Sequence, residues 1–435
     1  MAITTRSFAS RGSSFHVITT TLGNLLGPVS TLLCAPILAY QLGVAGRGEL
    51  AASTMPLVLL GAALTIGLPE ALTFRLGRFP GDGRQSLKMA TLVLSIAGAF
   101  GAVILLFLAP WLATDSPTVI ELVRLSAIAA VPTVVLWALR GTAQGLQRWA
   151  TLNVEKALTG TARLLGIGSL ALFDSLTVHS AFVVTVCAPL VGYVAYVKMI
   201  LGMSQTRRRR RRTLHDMISF GSKVWLGSIA GILITRLDQV LILPLSSAEQ
   251  LGLYAAAVNV GDIPFFMTAA FGSIMLAKES SAASNARVEF ASRVLFSIVL
   301  CVTSIVGATS HLWFGWLFGP SFAVGADTAV VLLGAALISA PGTIAGSALT
   351  GRGHAHDRSL ALGVGLLVNV VLLLWLVPIL GAFGAALATF GGTLAVTSLN
   401  LMQLWRRLGI RPDRMILLRR PDVERLIVEL FRRRR

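Results

Sequence analysis

The sequence predicts an all-α polytopic membrane protein: about twelve transmembrane helices, in two six-helix bundles related by a pseudo-twofold axis along the membrane normal. Three observations predict it. Hydrophobic residues make up 55% of the 435 and charged residues 13%, about half the ~25% of soluble domains. So few charges, with a mean hydropathy of +0.77, cannot cover a water-facing surface, so most of the surface faces lipid. Apolar stretches long enough to cross ~30 Å of hydrocarbon recur along the whole chain. Finally, the 37 Lys and Arg, set against 19 Asp and Glu for a net charge of +18, fall in alternate loops.

Taken in chain order, the first span covers 15–42 and holds no acid or cation; its Asn24 is a candidate contact for a sugar or for backbone. The polar residues 1–14 followed by a run too long for a signal h-region predict no cleavable leader. Span two, 49–74, carries Glu70 after Pro69 near its inner end. Span three is 86–113. Span four, 117–140, starts with Glu121 and Arg124, i,i+3 neighbours suited to a local surface ion pair of small value. Span five, 149–174, places Asn153, Lys156 and Arg163 on one rough face. Helical rise from Arg148 sets Arg163 about 22 Å deep, and Glu155 points towards a neighbouring helix. Span six is 177–201.

The run Arg207–Arg212 then divides the chain near its middle. Its ordinary reading is a solvated linker that fixes topology and touches anionic lipid. Span seven, 217–244, bears Arg236 and Asp238, which stand two apart and so point to different faces. Span eight, 250–277, has Asp262 before Pro264. Spans nine, ten, eleven and twelve cover 288–315, 322–350, 358–378 and 382–405, the last two parted by a short turn with Gly381 and Gly384. His354 and His356 form a His-x-His pair, but no third ligand completes a metal site. After Pro412, Val423, Leu426, Ile427, Leu430 and Phe431 make one apolar stripe flanked by arginines, as in a helix lying on an anionic leaflet.

With the N-terminus in the cytoplasm, 31 of the 37 cations lie in inside segments, one (Arg47) in an outside loop and five within spans. That asymmetry is the positive-inside pattern for both termini in the cytoplasm of a multi-pass plasma (inner) membrane protein. The expected units are an N-terminal bundle 1–201, a polybasic cytoplasmic linker 202–215, a C-terminal bundle 216–408 and a basic amphipathic cytoplasmic tail 409–435. Internal repetition supports the two halves. Gly48-x-x-Ala51-Ala52 matches Gly252-x-x-Ala255-Ala256 at an offset of 204, and the segment around Gly141 matches that around Gly346 at 205. Halves of six spans insert the same way up, with a transport path between them.

Nucleic-acid binding is excluded because the basic residues are sorted by membrane side and not gathered on one folded face. Cys34, Cys187 and Cys301 fall inside spans, so neither a disulfide framework nor zinc spacing exists. No catalytic constellation, metal or cofactor is expected, and the short outer loops leave little room for a membrane enzyme of glycan assembly.

The segments QLGVAGRGELAA (41–52), LRGTAQGLQRW (139–149), RLDQVLILPLSSAEQLGLYAAAVNVGDIP (236–264) and GSALTGRGHAHDRSLAL (346–362), in this order and spacing, resemble the polysaccharide transporter (Wzx-type) flippases of the multidrug/oligosaccharidyl-lipid/polysaccharide superfamily. The resemblance covers nearly the whole chain. It implies two bundles forming a V around a central cavity, and alternating access that carries a polyprenyl-diphosphate-linked oligosaccharide from the cytoplasmic to the outer leaflet. The related lipid II flippases have two further helices that this chain lacks. A drug/cation antiporter of the same superfamily is the nearest rival, although that family often carries an acid in its first helix.

On this reading Arg163, Arg236, Lys156, Asn24 and Asn153 are the substrate-binding candidates, since guanidinium groups hold phosphate in bidentate fashion. For Arg163 the alternative is an interhelical ion pair, and for Arg236 it is snorkelling to the outer headgroups. Asp238, Asp262 and Glu70 are the candidates for a protonatable coupling site; for Glu70 and Asp262, each near a proline, the alternative is stabilisation of a helix kink. Expected partners are the lipid-linked glycan, anionic lipids at the basic loops and tail, and enzymes of glycan assembly.

Overall fold

The computed structural model describes residues 12–113, 116–203, 213–416 and Asp422; side chains are described from Gly27 onward, apart from Pro28, Thr213, Lys223, Val224 and Leu226. Among these residues there is no strand. The helices are α1 (Gly12–Leu64), α2 (Leu68–Arg78), α3 (Gly83–Ala113), α4 (Pro117–Gly145), α5 (Trp149–Leu172), α6 (Val178–Val191), α7 (Val197–Leu201), α8 (Thr213–Leu245), α9 (Ala248–Ser281), α10 (Asn285–Phe318), α11 (Gly325–Gly351) and α12 (Ala355–Leu408).

Two of these double back on a single glycine. The α1 segment turns at Gly43 (φ 66°) between limbs 12–42 and 44–64, and α12 turns at Gly381 (φ 54°) between limbs 355–380 and 382–408. Both angles lie in the left-handed region that a side chain disfavours. With the limbs counted separately, and α2 and α7 continuing the rods before them, the described residues make twelve rods. Among the described residues nine helices are long and apolar enough to cross a membrane, the doubled α1 and α12 each counting once. The twelfth rod is α5, whose Asn153, Glu155, Lys156 and Arg163 dilute its apolar character. The protein is therefore a multi-pass membrane protein.

The rods depart from expectation in two places. Span two is interrupted at 65–67, where Ile66 and Gly67 take positive φ and Pro69 opens α2. Proline suits the first turn of a helix because the missing N–H has no intrahelical partner there. Arg47, placed by the loop count outside the membrane, lies within the 44–64 limb of α1 because Gly43 alone makes the turn. Elsewhere the ends follow local chemistry: Ser116, Ser247 and Ser284 cap α4, α9 and α10, and Thr177 with Ser180 forms a capping box on α6.

The rods form two lobes. In the first, α4 packs on α1, α2 and α3, and α5 on α1 and α6; in the second, α11 packs on α9, α10 and α12, and α12 on α8. Both lobes use the same close approach of α4 or α11 to its neighbour. A Cβ on Gly145 would lie 2.9 Å from the Thr73 carbonyl oxygen, and one on Gly351 would lie 3.1 Å from that of Leu276.

Between the lobes, α1 meets α9 where Gly48 faces Gly252. A Cβ on Gly48 would lie 1.8 Å from the carbonyl oxygen of Ala248, and one on Gly252 would lie 1.9 Å from that of Val44. Ala248 and Val44 each precede the facing glycine by four, so the contact maps onto itself under exchange of the halves, as a twofold contact must. The other end of the molecule gathers Arg75, Arg140, Arg287, Arg293 and Arg352. There α8 lies against α1 and α2: Gly221 meets Gly67 backbone to backbone, Phe220 stacks on Phe74 at 4.2 Å, and the Trp225 indole donates to the Ala63 carbonyl at 2.9 Å.

Candidate functional site

Two neighbourhoods of charged side chains lie inside the rods, one in each lobe, besides several separate charges. In the first lobe, Arg163 of α5 donates from Nη1 to the Thr31 hydroxyl at 3.1 Å, and that hydroxyl in turn donates to the Gly27 carbonyl. The Nε–H of Arg163 is buried with no hydrogen-bond partner among the described residues, and so is that of Arg47. Arg47 lies within electrostatic range of Arg163, and both lie within range of Cys34. Neither forms an ion pair with any described residue. A pair of like charges in a low-dielectric interior is costly, and unpaired buried donors call for an explanation. An anion accepting from both guanidinium groups satisfies each requirement.

Glu155 of α5 has a partner of its own. Glu155, fully buried, receives Arg140 of α4 through a bidentate contact at 2.8 and 3.2 Å. Lys156 feels the charges of that same pair and lies two turns, about 10 Å of helical rise, from Arg163. Asn153 stands one turn further towards the basic end. The side chain of Asn24 lies outside the described residues. Near the opposite end Glu121 faces His179 of α6 at 3.6 Å, and among the described residues it makes no pair with Arg124.

In the second lobe a cavity of about 560 Å³ lies among α8, α9, α11 and α12. Arg236 of α8 donates to Asp262 of α9 at 2.8 Å, and both line this cavity. Asp238, 2% exposed, accepts from the Tyr254 hydroxyl, from the Gln239 N–H at 2.7 Å and from Thr389 at 3.3 Å. Arg236 and Asp238 thus have different partners, yet both line the one cavity, so the spacing of two does not send one of them to a neighbouring helix away from it. Glu70 stands apart, in the first turn of α2, with one carboxylate oxygen buried and unpartnered. Arg163 and Arg236 occupy different lobes.

Two lining features escape a reading of charge alone. Ser339, Thr343 and Ser347 recur every four residues on α11, and Thr389, Thr393, Thr397 and Asn400 recur at four, four and three on α12; all line the cavity. Such periodicity puts each set on one helix face, and it is legible in the sequence. Arg358, counted among the inside-loop cations, lies in the first turn of α12 and lines the cavity as well. The tail beyond α12 is tied to the basic end by Arg293, which binds the carboxylate of Asp422 at 2.7 and 2.8 Å and the Arg414 carbonyl at 2.7 Å. The stripe Val423–Phe431 and the run Arg207–Arg212 lie outside the described residues.

Comparison with known proteins agrees with this architecture. No curated protein matches the chain. An inward-facing multidrug resistance MATE family transporter of the MOP superfamily superposes with a TM-score of 0.65 at 15% identity, over 90% of this chain and 94% of that one. The inward closed lipid II flippase MurJ gives 0.70 at 11% identity, over 92% and 89%. A variant of the Vibrio cholerae MATE transporter VcmN gives 0.60 at 14%, over 92% and 98%. At such identities the likeness is one of fold, and the shared fold is the two-lobed one. The profile of the family described as "Polysaccharide biosynthesis protein" matches residues 14–276. That match spans more than half of the sequence, and the chain belongs to the polysaccharide biosynthesis protein family.

Proposed function

We propose that the protein is a flippase. It moves a polyprenyl-diphosphate-linked oligosaccharide from the cytoplasmic to the outer leaflet of the plasma membrane by alternating access, for surface polysaccharide biosynthesis. The observation that carries this reading is the arginine pair of the first lobe. Arg163 and Arg47 sit within the rods without an acid among the described residues, an arrangement that becomes favourable when a diphosphate lies between them. An organic cation would meet repulsion there, which disfavours the antiporter reading.

Lys156 and Asn153, lower on α5, lie along the entry from the basic end, and Asn24 on the first rod is assigned to the same lobe's path. The basic end faces the cytoplasm, with the linker 202–215 and the tail 409–435 on its anionic leaflet. Each half, 1–201 and 216–408, moves as a unit. The carboxylates Asp262, Asp238 and Glu70 are assigned to coupling: a proton on Asp262 would release Arg236 from its ion pair and free a second guanidinium for the substrate. The role is transport, without bond-making at a catalytic centre.

Reconstitution into vesicles with a fluorescent polyprenyl-diphosphate oligosaccharide tests the reading. Arg163→Gln and Arg47→Gln are expected to lower the flipping rate by about tenfold or more, the loss of one charge-assisted contact, while the purified protein stays monodisperse. Unchanged flipping in both variants would overturn the assignment.

A further inference from the structure

The cavity of the second lobe contains a group that the diphosphate reading leaves unused. Arg358 lines its basic end, and among the described residues it forms no ion pair or hydrogen bond and feels no charged neighbour. Its aliphatic stem runs over Gly346, where a Cβ would lie 3.3 Å from the Arg358 Cδ and 3.0 Å from the Asn400 amide nitrogen. The glycine thus brings Arg358 and Asn400 side by side. Asn400 donates to the Gly342 carbonyl at 3.2 Å, and its amide oxygen is buried with no donor.

The site therefore offers a cation, an unfilled acceptor beside it and a wall of hydroxyls from Thr343, Ser347 and Thr397. An inorganic anion without a hydroxyl would satisfy Arg358 and leave the Asn400 oxygen empty; a neutral sugar would do the reverse. A ligand carrying a carboxylate and hydroxyls together satisfies both. The cavity's volume of about 560 Å³ falls within the usual ~300–1,000 Å³ of small-ligand sites. Exposed lining residues, Thr235 on α8 and Phe266 and Ser273 on α9, place its mouth between the two helices that also contact α1.

We infer that this cavity is a binding site for an acidic sugar unit. Arg358 takes the carboxylate, Asn400 accepts from a ring hydroxyl and the threonine stripe of α12 contacts the rest. The inference rests on the flippase reading only in making that sugar part of the transported glycan. The second lobe would then select the glycan while the first holds the diphosphate.

Calorimetric titration of the full chain in lipid nanodiscs tests it, with a glucuronate-containing disaccharide, its neutral glucose counterpart and inorganic pyrophosphate as probes. The acidic disaccharide is expected to bind about tenfold more tightly than the neutral one. Arg358→Gln should abolish that preference, Arg358→Lys should keep part of it, and Asn400→Ala should weaken both sugars. Arg163→Gln should weaken pyrophosphate binding and spare the sugars. Equal binding of the two sugars by the wild type, or a preference that survives Arg358→Gln, overturns the site. If Arg358→Gln is not monodisperse, sugar binding undiminished in Asn400→Ala overturns it instead. Normal lipid-linked substrate flipping in Arg163→Gln and Arg47→Gln, with the sugar preference intact, would sink the flippase reading and leave the acidic-sugar site standing.

Discussion

Arg236 and Asp262 illustrate how a residue's neighbour decides its meaning. Each is about a quarter exposed, and they meet at 2.8 Å across two helices. Removing one partner leaves the other as an uncompensated charge inside the lobe. We expect Arg236→Gln or Asp262→Asn alone to lower stability by about 1–3 kcal/mol, below the cost of breaking a fully buried pair. The double variant should regain most of the loss. Thermal unfolding in detergent, analysed as a double-mutant cycle, checks this; additive losses would mean that the pair contributes nothing as a pair. The sequence marks both residues as costly intramembrane charges, but their pairing across 26 residues depends on how α8 packs on α9. Arg47 and Arg358 mislead a reading by loops because each stands beside glycine-bearing turns, and the side on which the chain turns is a matter of backbone angle. The hydroxyl stripes of α11 and α12 go unnoticed in a search for charges. Threonine and serine there can satisfy themselves on a preceding carbonyl, as Ser339 does on Ala336 at 2.7 Å, and so sit within an apolar helix at little cost.

The break in α12 sets the geometry of the last two rods. Gly381 takes φ 54°, and a Cβ there would lie 2.2 Å from the Gln250 side-chain oxygen. That oxygen accepts from the Ala382 N–H at 2.9 Å, satisfying one of the free donors at the start of the 382–408 limb. Gly381→Ala should therefore cost about 1–2 kcal/mol in backbone strain and displace the Gln250 cap in addition. Gln250→Ala alone should cost about 1 kcal/mol, as the loss of a helix cap does. In the double variant the clash is gone, so its loss should fall short of the sum of the singles; thermal unfolding reads the difference. Twelve rods are legible from apolar length and from the alternation of cations, because both follow from the thickness and sidedness of the bilayer. The hinge residues are less so. Gly381 and Gly384 look equivalent in sequence, yet only the first bends the backbone, while the second lets a neighbouring carbonyl, that of Leu376, approach. Likewise only Gly67 and the proline two residues on mark the interruption within the apolar run 49–74.

At the scale of the whole molecule, the repeated motif is also the seam. The offset of 204 between Gly48 and Gly252 is readable as duplication, but similarity reports descent and not contact. The two copies meet because residues on a twofold axis must pack against their own counterparts, and only glycine leaves room for backbone at that distance. A methyl group at either position would fall within 2 Å of a carbonyl oxygen on the other half. No rotamer change relieves such a contact, so α1 and α9 must move apart. This end lies opposite the basic end, where Gly67, Phe74 and Trp225 hold α8 to the first lobe independently. Gly48→Ala or Gly252→Ala is therefore expected to shift the population towards states open at the Gly48 end, and to slow any cycle that needs that end closed. A cysteine at Ala256, buried one turn beyond Gly252, would report the change in a chain whose Cys34, Cys187 and Cys301 are replaced by serine. Labelling by an impermeant maleimide should be several-fold faster with Gly48→Ala than without it. Equal labelling rates would mean that the halves part elsewhere, and that the glycine pair is a relic of duplication and not the seam at which the lobes separate.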